Sequence, residues 1–175
     1  MNGADEKPLG SDPEVYFNDG AGYYAAGDFD EALVMFKVAA LAGSPEAAIQ
    51  VGLMYDFGLG AARSFHEARR WYLKAAMRNH PRALYLLGHM EEFGEGRIRD
   101  YSKAFGWYQK AAALGETNAQ FSLGEFYSSG KFVHRDPEQA VRWLSLAAGQ
   151  CHDQAWELLQ GLAVHQLNWD PGVCF

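Results

Sequence analysis

Apolar residues recur at i, i+3, i+4 and i+7 along most of the chain, while glycine and proline fall between the periodic stretches. That alternation predicts amphipathic helices joined by short turns. The helices come in pairs. Asp12-Pro13 and Ser44-Pro45 each set a capping residue before a first-turn proline, where the missing N–H costs nothing, and so open first helices. Asp28, Ser64, Asp100 and Asp136 open second helices. Ser64 with Glu67 spells a capping box, Asp28 is followed by Glu31, and Asp136 precedes Pro137 with Gln139 at the third position.

The pairs form a repeat with a period of 36: Gly52, Gly88 and Gly124 keep this spacing, as do Ala68, Ala104 and Ala140, and Trp71, Trp107 and Trp143. Ala75-Ala76, Ala111-Ala112 and Ala147-Ala148 keep step with them. A small residue at a helix crossing lets two backbones approach, and Trp71 with Tyr72, and Trp107 with Tyr108, are the expected plugs of the remaining space. The turns within pairs carry Gly58 and Gly60, Gly94 and Gly96, then Gly130 with Phe132 in place of the second glycine. No strand precedes them and no Lys-Ser/Thr follows, so they read as helix ends rather than a phosphate loop.

Laid out from Ala47, one unit reads AAIQVGLMYDFGLGAARSFHEARRWYLKAAMRNHPRA, which resembles the Sel-one-like repeat of the tetratricopeptide superfamily. The family pattern is met most fully from Ala83 to Ala119, with Leu87-Gly88, Gly94, Gly96, Asp100, Lys103-Ala104, Trp107-Tyr108, Lys110-Ala111-Ala112 and Gly115. Glu91 stands where the pattern has tyrosine, Arg97 where it has valine, and Leu144 where it has the second aromatic. The segment GAGYYAAGDFDEA, from Gly20, looks instead like a tetratricopeptide hairpin with a shortened turn.

The resemblance implies an all-α fold, a right-handed α/α superhelix (solenoid) of stacked helix-turn-helix repeats with about nine helices. A single repeat domain over 13–165 would hold a hairpin at 13–44, Sel-like repeats at 45–80, 81–116 and 117–152, and a capping helix at 153–165. In that last helix Trp156 and Leu159 take framework positions, and Gln160 stands where the packing glycine would be. A disordered segment 1–12 precedes the domain and a tail 166–175 follows it. Trp169 and Phe175 in the tail are anchors that either cover the open end of the stack or enter a neighbouring molecule's groove.

Composition narrows the function. Hydrophobic residues make up 49% of the 175 and aromatics 14%, enough to fold around packed cores. No apolar run approaches the roughly 20 residues of a membrane-spanning helix, and the polar start at Asp5, Glu6, Lys7 and Pro8 is unlike a secretory leader. A cytoplasmic protein is expected, or a secreted one if a leader ahead of Met1 has been removed. Cys151 and Cys174 form no repeating disulfide framework, which fits a reducing compartment. Cys151 aligns with Gly43, Asn79 and Gly115 and reads as a turn residue, so the properties of cysteine-stapled family members do not carry over. A net charge of −7 disfavours nucleic acid. The basic stretch of Arg63, Arg69, Arg70, Lys74, Arg78 and Arg82, broken only by Glu67, reads as a solvated helix face.

In the superfamily the first helices line a concave face where protein segments dock. The resemblance places Phe17, Ala21 and Tyr24 there, then Ile49, Leu53, Asp56 and Phe57, then Tyr85, His89, Glu92 and Phe93, then Phe121, Glu125 and Ser128. Aromatics edged by Asp56, Glu92 and Glu125 suit a partner segment with apolar anchors and Lys or Arg, although Phe57 and Phe93 could equally pack between adjacent first helices. The histidines do not converge, and His89 with Glu92 offers too few ligands for a metal. The expected protein is therefore a monomeric, non-enzymatic adaptor without cofactors, binding another protein. The alternative is an effector or immunity-type protein that blocks a target's surface.

Overall fold

The computed structural model describes residues 12–166. Among these there are nine helices and no strand: α1 (Pro13–Ala26), α2 (Phe29–Leu41), α3 (Pro45–Phe57), α4 (Phe65–Ala76), α5 (Pro81–Phe93), α6 (Tyr101–Ala113), α7 (Thr117–Ser129), α8 (Pro137–Ala148) and α9 (Asp153–Gln166). The expected disordered start and the tail, with Trp169 and Phe175, lie outside the described residues. The chain divides into two compact units, Met1–Asn79 and His80–Phe175.

Each unit is built by stacking. In the first, α1 packs on α2, α2 on α3 and α3 on α4; in the second, the series runs from α5 to α9 in the same way, and α7 also touches α9. Side by side within a unit, hairpins hold one another through their second helices, the arrangement of a helical solenoid.

The glycine of each first helix shows why the period is strict. A Cβ on Gly88 would lie 2.6 Å from Cδ1 of Tyr108, one on Gly124 would lie 2.5 Å from Cγ of Leu144, and one on Gly52 would meet the ring of Tyr72. Tyr72, Tyr108 and Leu144 are accordingly the plugs, at 0%, 1% and 0% exposure. Of the two tryptophans expected to share this role, Trp71 is buried, at 9% exposure, whereas for Trp107 the expectation is corrected. Trp107 and Trp143 are only half-buried, and Lys74, Lys110 and Arg142 lie over the rings of Trp71, Trp107 and Trp143. The stems of these cations shield part of each indole.

The second helices begin where the capping residues predict, with one repeated bond the sequence does not announce. Backbone N–H groups of Asp28, Ser64, Asp100 and Asp136 donate to the carbonyls of Tyr23, Tyr55, Glu91 and Tyr127 in the preceding first helix. Ser64, Asp100 and Asp136 also accept from the N–H groups of Glu67, Lys103 and Gln139. Asp28 makes no side-chain cap. The Ser64-Glu67 box is half formed: the Ser64 N–H goes to Tyr55, and the Glu67 carboxylate pairs with Arg70 at 3.0 Å. That pairing holds the Glu67 carboxyl below its ordinary value.

Two departures from the family pattern answer each other. Glu91, fully buried in α5, pairs with Arg97 at 3.5 Å, so the carboxylate in the tyrosine position is met by a guanidinium in the valine position. The turn expected at Cys151 also holds. Gly43, Asn79, Gly115 and Cys151 all have positive φ, at 110°, 57°, 87° and 60°. At the C-terminal end, Leu159 and Ala155 of α9 join Leu144, Ala147 and Ala148 in one core cluster, with Phe121 and Trp156 against it. Gln160 is exposed: it has no plug to make room for among the described residues.

Candidate functional site

The residues expected to bind all lie on first helices, some turned toward the second helices and others into solvent. In the first unit these differ in what they offer. Phe17 leans on Phe36, ring centroids 5.4 Å apart, and Tyr24 meets Phe29 edge-on while staying exposed. Ile49 is buried, at 3% exposure, so it supports the face from beneath rather than forming it. Leu53 is half-buried. Asp56 lies 3.9 Å from Arg63, whose Nε donates to the Asp56 carbonyl at 2.7 Å, and beside it Phe57 is 69% exposed.

The basic stretch is largely occupied with the fold. Besides Arg63 on Asp56 and Arg70 on Glu67, the Arg78 guanidinium donates to the carbonyl of Gly43. The Arg63 and Arg78 bonds reach a neighbouring helix or turn and the Arg70 pair stays within α4, all of them exposed, in keeping with a solvated face.

In the second unit the expected residues of α5 form a connected group with Tyr108. Tyr85 stacks on Tyr108 at 5.7 Å, and His89 lies between Tyr85 and Phe93, 4.4 Å from the latter ring. His89 also approaches Glu95 at 3.5 Å. The buried Tyr108 hydroxyl donates to Glu92 Oε2 at 2.7 Å, which fixes the carboxylate from below. Burial, then this bond and the Glu92 charge, push the Tyr108 phenol far above its ordinary value. Burial and then the carboxylates of Glu116, Glu92 and Glu125 push Tyr85 upward too. Phe121 stacks on His152 at 4.5 Å and is half-buried, and Phe93 is 54% exposed.

Between Glu92 and α9 lies an open hollow of about 220 Å³, lined by Glu92, Glu125, Ser128 and Lys131 with Phe126, Phe132 and Leu158. Burial and the neighbouring Glu92 raise the Glu125 carboxyl, with Lys131 opposing. Sequence reasoning placed Glu92, Glu125 and Ser128 together through their shared helical register. It missed Lys131, Phe132 and Leu158, which reach the hollow from a turn and from the closing helix. It also read Tyr108 as a plug alone, when its hydroxyl belongs to the site. No group of three or more His, Cys, Asp or Glu side chains is placed to hold a metal ion among the described residues, and none of their helices is long and apolar enough to cross a membrane.

Stacked hairpins with a glycine facing a buried plug define a helical repeat protein, and comparison with known proteins says of which kind. The Sel1 repeat model matches residues 9–44, 45–80, 81–116 and 117–150, and the chain belongs to the Sel1 repeat family. A Sel1 repeat protein from Oxalobacter formigenes is 33% identical over 86% of this chain and 63% of its own, with a TM-score of 0.79. A protective antigen of uropathogenic Escherichia coli, c5321, is similar in fold at a TM-score of 0.80 and 23% identity, over 87% of this chain and 34% of its own. The chain thus spans less than two thirds of either protein. Cysteine-rich protein B of Helicobacter pylori shares the fold at a TM-score of 0.57 and 23% identity, over 71% of this chain and 94% of its own. No protein of curated function matches the sequence. Sel1 repeats are in general non-catalytic scaffolds for protein interaction.

Proposed function

We propose that the chain is an adaptor that binds a segment of another protein along its first helices and carries out no catalytic step. The observation that most supports this is Phe93, half in solvent on α5, its ring against His89 and its neighbour Glu92 held by Tyr108. A large exposed ring beside a fixed carboxylate contributes little to folding and much to docking a segment that pairs apolar anchors with Lys or Arg. In the first unit Phe57 beside Asp56, with Tyr24 also exposed, repeats the combination.

The test is a random-peptide display selection on the full chain, repeated with Phe93→Ser and with Phe57→Ser. The expected result is enriched peptides that lose binding to one or both variants while the urea unfolding midpoints stay within error of wild type. Midpoints that fall sharply would assign the rings to the fold, and a selection that enriches nothing sensitive to either variant would count against the reading.

A further inference from the structure

The hollow of the second unit is more specific than a general docking face requires. Its volume, about 220 Å³, falls below the roughly 300–1,000 Å³ of pockets for drug-sized ligands and suits one long side chain. One wall is acid, from Glu92 on α5 and Glu125 on α7; Phe126 is buried at the base, and Phe132 and Leu158 supply apolar surface. We propose that this hollow receives a single arginine side chain of the partner segment, an inference that rests on the docking reading above.

Three features select this occupant. Two carboxylates facing one space repel each other, and Lys131 is the only cation among the described lining residues. A partner cation between them relieves that repulsion, whereas an anion or a neutral anchor leaves it in place. The hydrogen bond from Tyr108 holds Glu92 before any partner arrives, so little side-chain entropy is lost on binding. The apolar part of the lining distinguishes arginine from lysine. A guanidinium offers several N–H donors in one plane, enough for both carboxylates, and is weakly hydrated, so it enters a site walled by Phe132 and Leu158 at smaller cost than a compact ammonium. Its methylene stem lies along those side chains.

The experiment uses the peptides enriched on the full chain, synthesised with arginine, with lysine and with the neutral isostere citrulline at the most constrained position. Binding is measured by fluorescence anisotropy against wild type, Glu125→Gln and Lys131→Met. Among the described residues the Glu125 carboxylate makes no hydrogen bond, only its backbone carbonyl accepting from Ser128 Oγ, so Glu125→Gln should not lower the unfolding midpoint. Arginine to citrulline, and Glu125→Gln, should each weaken binding about ten-fold. Lys131→Met, by removing the competing cation, should tighten it about two- to five-fold. Lysine should fall between arginine and citrulline. Peptides that lose binding to Phe93→Ser yet ignore citrulline and Glu125→Gln overturn the arginine assignment and leave the docking face standing. Equal binding of lysine and arginine overturns the guanidinium preference. A selection that yields no peptide sensitive to Phe93→Ser or Phe57→Ser overturns the docking reading, and the arginine assignment with it.

Discussion

Gly60 in the first unit and Phe132 in the second occupy the same repeat position, and each fastens its turn to the helix start of the preceding hairpin by opposite means. At Gly60 the backbone itself makes the contact: φ is 67°, and a Cβ would run into the carbonyl group of Phe29. At Phe132 the side chain makes it, its ring stacked on that of Tyr101 with centroids 3.5 Å apart and 15° between planes, and touching Phe126 at 5.1 Å. Phe29 and Tyr101 are themselves equivalent positions. A repeat can therefore exchange a close backbone approach for a ring stack and keep its register. The exchange has a functional side, because Phe132 and its neighbour Lys131 line the hollow, whereas their counterparts in the first unit are Gly60 and Leu59.

The contrast can be broken from either side. Gly60→Ala should have the largest effect, roughly 3–5 kcal/mol in urea unfolding, since a left-handed conformation is imposed on alanine and its methyl group meets backbone that has nowhere to go. The turn between these two, in α5 to α6, depends on an ion pair. Arg97→Ala should cost about 2–4 kcal/mol by leaving the buried Glu91 carboxylate without its guanidinium, and Glu91→Tyr, which restores the family residue, should recover part of that loss. Phe132→Ala should cost less, about 1–2 kcal/mol, because the ring is 37% exposed and gives up stacking rather than backbone geometry. In a double-mutant cycle with Tyr101→Ala the coupling should be about 1 kcal/mol; a coupling near zero would mean that the stack does not fasten the turn.

The smallest effect is one of pH. Burial and Glu92 raise the Glu125 carboxyl above its ordinary value, so the folded state favours the protonated form. Stability from this group is whole below the unfolded carboxyl's range and is lost as pH rises through the folded one. Glu125→Gln should therefore gain on wild type as pH rises above the ordinary carboxyl range, by no more than about 0.5 kcal/mol given the solvent around the group. Its counterpart in the first unit is Leu53, where no such dependence can arise.

Periodicity made the helices and their order legible because a 36-residue spacing of glycine and bulky residues admits one kind of stacking. The glycines faced plugs as the spacing required, but which aromatic served as plug was not legible. Trp107 and Tyr108 are adjacent in sequence, and only the packed helices reveal that the tyrosine is fully buried and the tryptophan half-buried. Ile49 was misjudged as surface for the same reason: a helical register drawn from one glycine has an uncertain edge. Of the site, the residues on α5 and α7 could be read from register, whereas Lys131, Phe132 and Leu158 depend on the path of a turn and on the seat of the last helix. The Glu91–Arg97 pair was visible as two oddities six residues apart, and nothing in a linear string joined them.

The backbone bond from each capping residue to the helix before it, seen at Asp28, Ser64, Asp100 and Asp136, fastens the start of the second helix to the last turn of the first without using any side chain. Those four amides sit at turn positions where exchange with heavy water is normally fast, yet each is held by a bond that must break before its hydrogen is traded. They form a ready set of gauges, one per hairpin, by which the order of unravelling along the molecule can be timed.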